Sequence, residues 1–231
     1  VRSSFAPQSF VEYQGIRTWL GKSRTSVAHR YIGRTIEAWG DKTRFVLTSL
    51  DGEWVHFSAL ERSAVYEANN SQIAPDTLDR LSRVFSGYHP DVHAVLANAE
   101  PNSLVRCNFG VVTNLKHSHS GLMALIGDAA HGMPPNMGQG ASLGFEDALW
   151  ITHELAHTHD ARVAFERYGN ARRARVAEMR QLANAMNRLF QPESRWAQFL
   201  RDRIAAAVPD RLTALRMGTL YQPAVPAALA H

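Results

Sequence analysis

The sequence has little that would tie it to a disulfide scaffold, a membrane or a nucleic acid. Cys107 is its one cysteine, so neither an internal disulfide framework nor a cysteine-rich zinc module can be built. The longest apolar stretches, such as Leu122 to Ile126, fall far short of the roughly 20 residues a spanning helix needs. Val1 to Pro7 holds no apolar segment behind a charged start, so no targeting signal is visible. The expectation is a cytoplasmic protein with no membrane partner. Like charges never run beyond a few residues. Twenty-five Lys and Arg face 21 Asp and Glu, a net +4 that suits an anionic ligand and points to no nucleic acid. G-x-G-x-x-G and G-x-x-x-x-G-K, the loops that cradle nucleotide phosphates, are both missing. The first residue is Val1, not Met, which agrees with the missing loops in suggesting a piece of something larger.

What remains is globular material: 45% hydrophobic and 20% charged residues, with five Trp, six Tyr and ten Phe for a core. The expected class is α/β, or α+β within this stretch. Ile16 to Leu20, Val27 to Ile32, Arg44 to Thr48 and Glu53 to Ser58 are rich in β-branched and aromatic residues and read as strands. Asp51-Gly52 between the last two is a hairpin signal, because glycine accepts the positive φ of a tight turn. Residues 12 to 60 therefore predict an antiparallel sheet. Ala74-Pro75-Asp76 and Pro90-Asp91 open two helices, each with proline in the first turn, where its missing N–H costs little. Leu104 to Val112 and Leu122 to Ile126 are strand candidates, the second apolar enough to be buried on both faces. From Ala141 onward the spacing predicts helices. One carries Leu143, Leu149 and Leu155. A long second carries Phe165, Tyr168, Met179 and Phe190, with Arg167, Arg172, Arg173, Arg175 and Arg180 on its exposed side. A third carries Trp196, Phe199, Leu200 and Ile204, and a short one starts at Pro209 with Leu212, Leu215 and Met217. The predicted parts are 1–105 (substrate-binding sheet and helices), 106–160 (second half of a cofactor domain), 161–222 (C-terminal helices) and 223–231 (a loose Ala/Pro-rich tail).

The informative stretch runs from Leu125 to Ala148. A buried strand ending in Gly127-Asp128 puts a carboxylate at the carboxyl edge of a sheet, where α/β folds bind ligands. Ala129 and Ala130 permit close approach, and Pro134-Pro135 stiffens the next turn. Gly138-Gln139-Gly140 then leads into a helix whose first N–H groups favour negative charge on a ligand.

The run Gly127-Asp128-Ala129-Ala130-His131, then Pro134, Gly138-Gln139-Gly140 and Glu146-Asp147-Ala148, resembles the second flavin-binding motif of the FAD-dependent aromatic hydroxylases, the single-component flavoprotein monooxygenases. Tyr13-Gln14-Gly15 with Thr18-Trp19 and Gly21, Trp39-Gly40 with Arg44-Phe45, and Trp54-Val55-His56-Phe57 resemble the substrate-domain strands of the salicylate-hydroxylase-like members. Tyr168, Arg172 and Arg175 resemble the helix that follows the motif. The resemblance covers most of residues 10 to 205, and its specific part is 125 to 148. It implies an antiparallel substrate-domain sheet joined to the C-terminal part of an FAD-binding domain and trailing helices. It implies that Gly127 and Asp128 meet the ribityl chain of FAD, and that Pro134, Gly138, Gln139, Gly140 and Ala141 lie against the isoalloxazine. The reaction implied is reduction of FAD by NAD(P)H, addition of O2 at flavin C4a as a hydroperoxide, and oxygen transfer to a small aromatic substrate. Catalytic side chains are not required, because the flavin carries the chemistry. Trp19, Trp54, His56 and Pro135 are the candidates for the substrate pocket. The N-terminal βαβ unit of that family is not matched. A homodimer or a separate N-terminal FAD-binding segment is therefore an expected partner.

Competing patterns weigh less. His153-Glu154-Leu155-Ala156-His157 is a literal H-E-x-x-H, yet no third zinc ligand follows at the usual spacing, and no metal site is expected. Glu146-Asp147 and His131 read as residues that fix the loop or the helix start. The alternative from another class is a catalytically inert, truncated or split remnant acting as a folded interaction module.

Overall fold

The computed structural model describes residues 1–66, 73–190, 192, 194–207 and 222–226. It divides into two compact units, one of Tyr13–Phe109 and Phe190–Gln198, the other of Val1–Glu12, Gly110–Leu189 and Phe199–His231.

The first unit holds most of a sheet of β1 (Phe10–Arg24), β2 (Thr35–Trp39), β3 (Thr43–Ser49), β4 (Trp54–Arg62) and β5 (Val105–Thr113), in the order β2-β3-β4-β1-β5. Antiparallel registers set Trp19 and Phe45 opposite Ala59, and Leu47 opposite Phe57, so these side chains share one face. That face packs on α2 (Thr77–Val84) and α3 (Pro90–Ala97) through Leu81, Phe85, Val92, Val95 and Leu96. Phe45 stacks on Phe57 at 5.6 Å and meets Phe85 edge-on at 5.3 Å. Each such side chain, fully buried, contributes about 1.5–3 kcal/mol. The other face carries Thr18, Leu20, Val46, Thr48, His56 and Ser58. The predicted hairpin is present: Gly52 has φ +89°, and Asp51 accepts the N–H groups of Glu53 and Trp54 at 2.9 and 2.8 Å. Those backbone donors hold the exposed Asp51 carboxyl below its ordinary range. Val27 to Ile32 is not a strand. Residues Ser26–Tyr31 form a 3-10 helix capped by the Thr25 hydroxyl, which drops Val27 and Ala28 into the core. Burial of a short turn has overridden β propensity there.

The second unit holds α1 (Arg2–Phe5), the hairpin β6 (His119–Ser120) and β7 (Met123–Ala124), α4 (Asp128–His131), α5 (Gly140–Ala156), α6 (Ala161–Phe190) and most of α7 (Arg195–Ala207). The buried strand expected at Leu122 to Ile126 shrinks to the two residues of β7. Leu122, Met123 and Ile126 are 68%, 41% and 43% exposed, and among the described residues only β6 pairs with β7. The Arg-rich face of α6 is also not uniformly solvated. Arg172 is buried, and Arg175 and Arg180 are half-buried, because each finds an internal acceptor. Trp196, Phe199, Leu200 and Ile204 of α7 are exposed. The short helix expected from Pro209, with Leu212, Leu215 and Met217, lies outside the described residues, as do residues 227–231 of the tail. Among the described residues no helix is long and apolar enough to cross a membrane.

Candidate flavin-facing site

The second unit places the Gly127-Asp128 turn on a buried ionic scaffold. Leu125 is buried, and its carbonyl accepts the Tyr168 hydroxyl at 2.9 Å. Gly127 then turns the chain with φ +55° and ψ −141°, a combination open essentially to glycine alone. It also packs against α5: a Cβ added at Gly144 would stand 3.6 Å from the Gly127 Cα. The Gly127 N–H donates to Asp147 Oδ2 at 2.8 Å. Asp147 is fully buried and accepts two further bonds, from His131 Nε2 at 2.6 Å and Arg172 Nε at 2.8 Å. Arg172 extends the network to Glu146 at 2.6 Å, and Arg175 adds a longer contact at 3.7 Å. Residue 224 joins from the tail. Its N–H donates to Glu146 Oε1 at 3.1 Å and its carbonyl accepts Trp150 Nε1 at 2.9 Å.

Burial by itself would push the Asp147 carboxyl up, but the bonds from His131, Arg172 and the Gly127 N–H outweigh it and hold the group below its usual range. The same carboxylate, after burial, pushes the Tyr168 phenol well above its ordinary value. Asp147 is therefore ionised in the fold and fixes the backbone of the turn.

Asp128 contrasts with Asp147. It is exposed, and although its carbonyl accepts the Gly132 N–H, its carboxylate makes no hydrogen bond or ion pair among the described residues. Its carboxylate lies by the start of α5, 3.6 Å from where a Cβ on Gly140 would be. Pro134 is buried, a 3-10 turn spans Pro135–Met137, and Gly138 closes it in the left-handed conformation at φ +62° with open space around it. Gln139 is buried as the N-cap of α5, whose first turn has no side-chain cap and no acidic residue. Its leading N–H groups, with Ala141 exposed beside them, are free to meet an acceptor. An unpaired carboxylate beside uncapped helix N–H groups is a donor–acceptor set that fits a flavin's ribityl hydroxyls and its electron-rich ring edge.

All seven residues expected to meet the cofactor thus fall within one turn-and-helix segment. The substrate-pocket candidates do not converge. Trp19 is buried under α2 and α3, with the Arg80 guanidinium 4.8 Å from its ring centroid, whereas Trp54 and His56 stand on the opposite face of the sheet. Burial, and then the neighbouring Lys22, lower the pKa of His56, so it is neutral at pH 7. Pro135 is exposed in the other unit. Arg172, expected on the exposed side of α6, is buried at this site. Its four-residue spacing from buried Tyr168 is the signal that puts it on the inner face of α6. In the H-E-x-x-H pattern, His157 Nδ1 bonds the His153 carbonyl at 2.7 Å, and among the described residues no group of three His, Cys, Asp or Glu could hold a metal.

The 2-heptyl-3-hydroxy-4(1H)-quinolone synthase of Pseudomonas aeruginosa is 28% identical over 219 residues, covering 91% of this chain and 54% of that protein. The aurachin C monooxygenase/isomerase of Stigmatella aurantiaca is 25% identical over 204 residues, covering 88% and 52%. Klebsiella pneumoniae HpxO, solved in complex with FAD and uric acid, shares the fold with a TM-score of 0.77 at 22% identity, covering 91% of this chain and 54% of that one. The chain spans about half the length of the curated relatives it matches. The FAD binding domain family model matches residues 66–183, about half of the chain, and the chain belongs to that family.

Proposed function

We propose that this chain supplies the flavin-facing contacts and one wall of the substrate pocket in an FAD-dependent monooxygenase that hydroxylates a small aromatic compound with NAD(P)H and O2. When bound, FAD would accept reducing equivalents and activate oxygen. The chain's own part is positional. Asp128 accepts hydrogen bonds from the ribityl hydroxyls. Gly138 and Gly140, lacking side chains, let the ring approach the backbone, and Pro134 and Gln139 keep that loop in shape. The first-turn N–H groups of α5 meet negative charge developing on the ring. Asp147, His131 and Arg172 hold the turn without touching the flavin. The sheet face bearing Thr18, Leu20, His56 and Ser58, with Lys22 opposite His56, offers a half-apolar surface with one cation for an aromatic substrate.

The relatives' names support this reading, since two are a monooxygenase/isomerase and a quinolone synthase and HpxO was solved with FAD and uric acid. Exposed Leu122, Met123, Ile126, Phe145 and Leu149 supply the apolar surface on which the remaining FAD-binding segment would rest. The observation that carries the proposal is Asp128, exposed and unpartnered beside the uncapped start of α5 and held there by a buried network. Titrating riboflavin and FAD into the chain tests it. Both are expected to bind with similar affinity, and Asp128→Ala to weaken each by at least about tenfold, one charge-assisted bond's worth, with unchanged thermal unfolding. Equal binding by the variant, or none by the parent, overturns it.

A further inference from the structure

A cavity lies in the unit that carries the Gly127-Asp128 turn, between the loop from Leu115 to His119 and helix α6, with a volume of about 280 Å³. That is near the lower end of the roughly 300–1,000 Å³ of ordinary ligand pockets. Its charge is lopsided. Lys116, Arg173 and Arg180 line it, and none makes an ion pair among the described residues. Arg172 also reaches the wall, but Glu146 and Asp147 neutralise it. Among the described residues no carboxylate lines the cavity; Glu166 acts on His119 from outside the wall. Polar atoms there are unmatched. His131 is 3% exposed, and with Nε2 committed to Asp147 its Nδ1 has no partner among the described residues. His119 Nδ1 and Arg180 Nε are likewise buried without a hydrogen bond. A buried polar atom left unmatched costs free energy, which a ligand oxygen would recover. Val176 and Ala177 give the remaining wall an apolar part.

We propose that this cavity binds the oxyanion headgroup, carboxylate or phosphate, of a small organic acid, with Lys116, Arg173 and Arg180 supplying the charge and His119 and His131 the directed contacts. Its occupant meets His131 and Arg172, the two side chains that grip Asp147 and through it the Gly127 turn.

The test is an NMR titration of the chain with inorganic phosphate and, separately, with benzoate. Saturable binding is expected for at least one, with shifts at the Gly169 amide and the His119 ring. Lys116→Gln combined with Arg173→Gln should weaken it by at least about tenfold. Ala177→Phe, which fills the space and keeps the charges, should do the same. Thermal unfolding should stay unchanged in both, since the replaced side chains are exposed. Asp128→Ala should leave the binding intact, which separates this cavity from the flavin-facing turn. Phosphate alone binding identifies a phosphoryl group, benzoate alone an aromatic carboxylate, and both a site that reads only the headgroup. Failure of both to bind, or binding that survives the cavity variants or is lost with Asp128→Ala, overturns the proposal.

Discussion

The two units solve the problem of a fixed backbone with opposite materials. Around Phe57 the sheet unit is dry: rings and aliphatic side chains from β1, β3, β4, α2 and α3 fill one face, and shape alone sets their positions. Around Gly127 the other unit is ionic: a fully buried carboxylate accepts an N–H, an imidazole and a guanidinium within 2.8 Å. An apolar core tolerates small shifts at modest cost, but directional bonds to a charge define where a single N–H must sit. A turn that presents one carboxylate to a ligand needs the second kind of support.

Breaking each scaffold should show the difference. Asp147→Ala leaves the His131 imidazole and the Gly127 N–H without their acceptor and Arg172 with Glu146 as its remaining carboxylate, and should cost about 3–5 kcal/mol in urea unfolding, with loss of flavin binding. Phe57→Ala should cost a similar 3–5 kcal/mol from the cavity it leaves. Their pH dependence should separate them. Asp147 has a depressed pKa in the fold, so its contribution is present above the unfolded value of about 3.9 and is lost as pH falls through the folded value. The penalty of Asp147→Asn should therefore be full at neutral pH and shrink in acid, while that of Phe57→Ala stays constant. A Phe57→Ala penalty that shrinks in parallel would erase the contrast.

Smaller effects sharpen it. Gly127→Ala forces a side chain into a glycine-only conformation and should cost about 1–3 kcal/mol, with flavin affinity falling more than stability. Arg24→Ala removes an exposed pair with Glu53, 66% and 57% accessible, and should shift unfolding by less than about 1 kcal/mol.

Much of this was readable along the chain, where local signals and burial agree. The Asp51-Gly52 hairpin, the proline-started helix α3 and the glycine-rich entry to α5 rest on backbone chemistry confined to a few residues, whereas Pro75 stands ahead of the Asp76 cap of α2 and outside its first turn. Val27 to Ile32 misled because its β-branched content is equally content inside a buried 3-10 turn. Leu122 to Ile126 misled because an apolar run says that something should cover it, and not that a neighbouring strand in this chain does. The Arg residues of α6 misled for a related reason. Periodicity sorts residues by face, but a guanidinium moves inward when a carboxylate on another helix waits for it.

By itself, then, the sequence determined the local turn and helix start that we propose face a flavin. Gly127, Asp128, Pro134 and Gly138 to Gly140 lie close together along the chain, and their conformational demands are local. Only the tertiary structure decided how that turn is held and what else stands near it. The Asp147, His131 and Arg172 contacts join residues 16 and 25 positions apart, and the basic cavity behind them joins a loop to a helix some fifty residues on. Such groupings depend on charge meeting charge in a low-dielectric interior, an energy that exists only once the chain has folded.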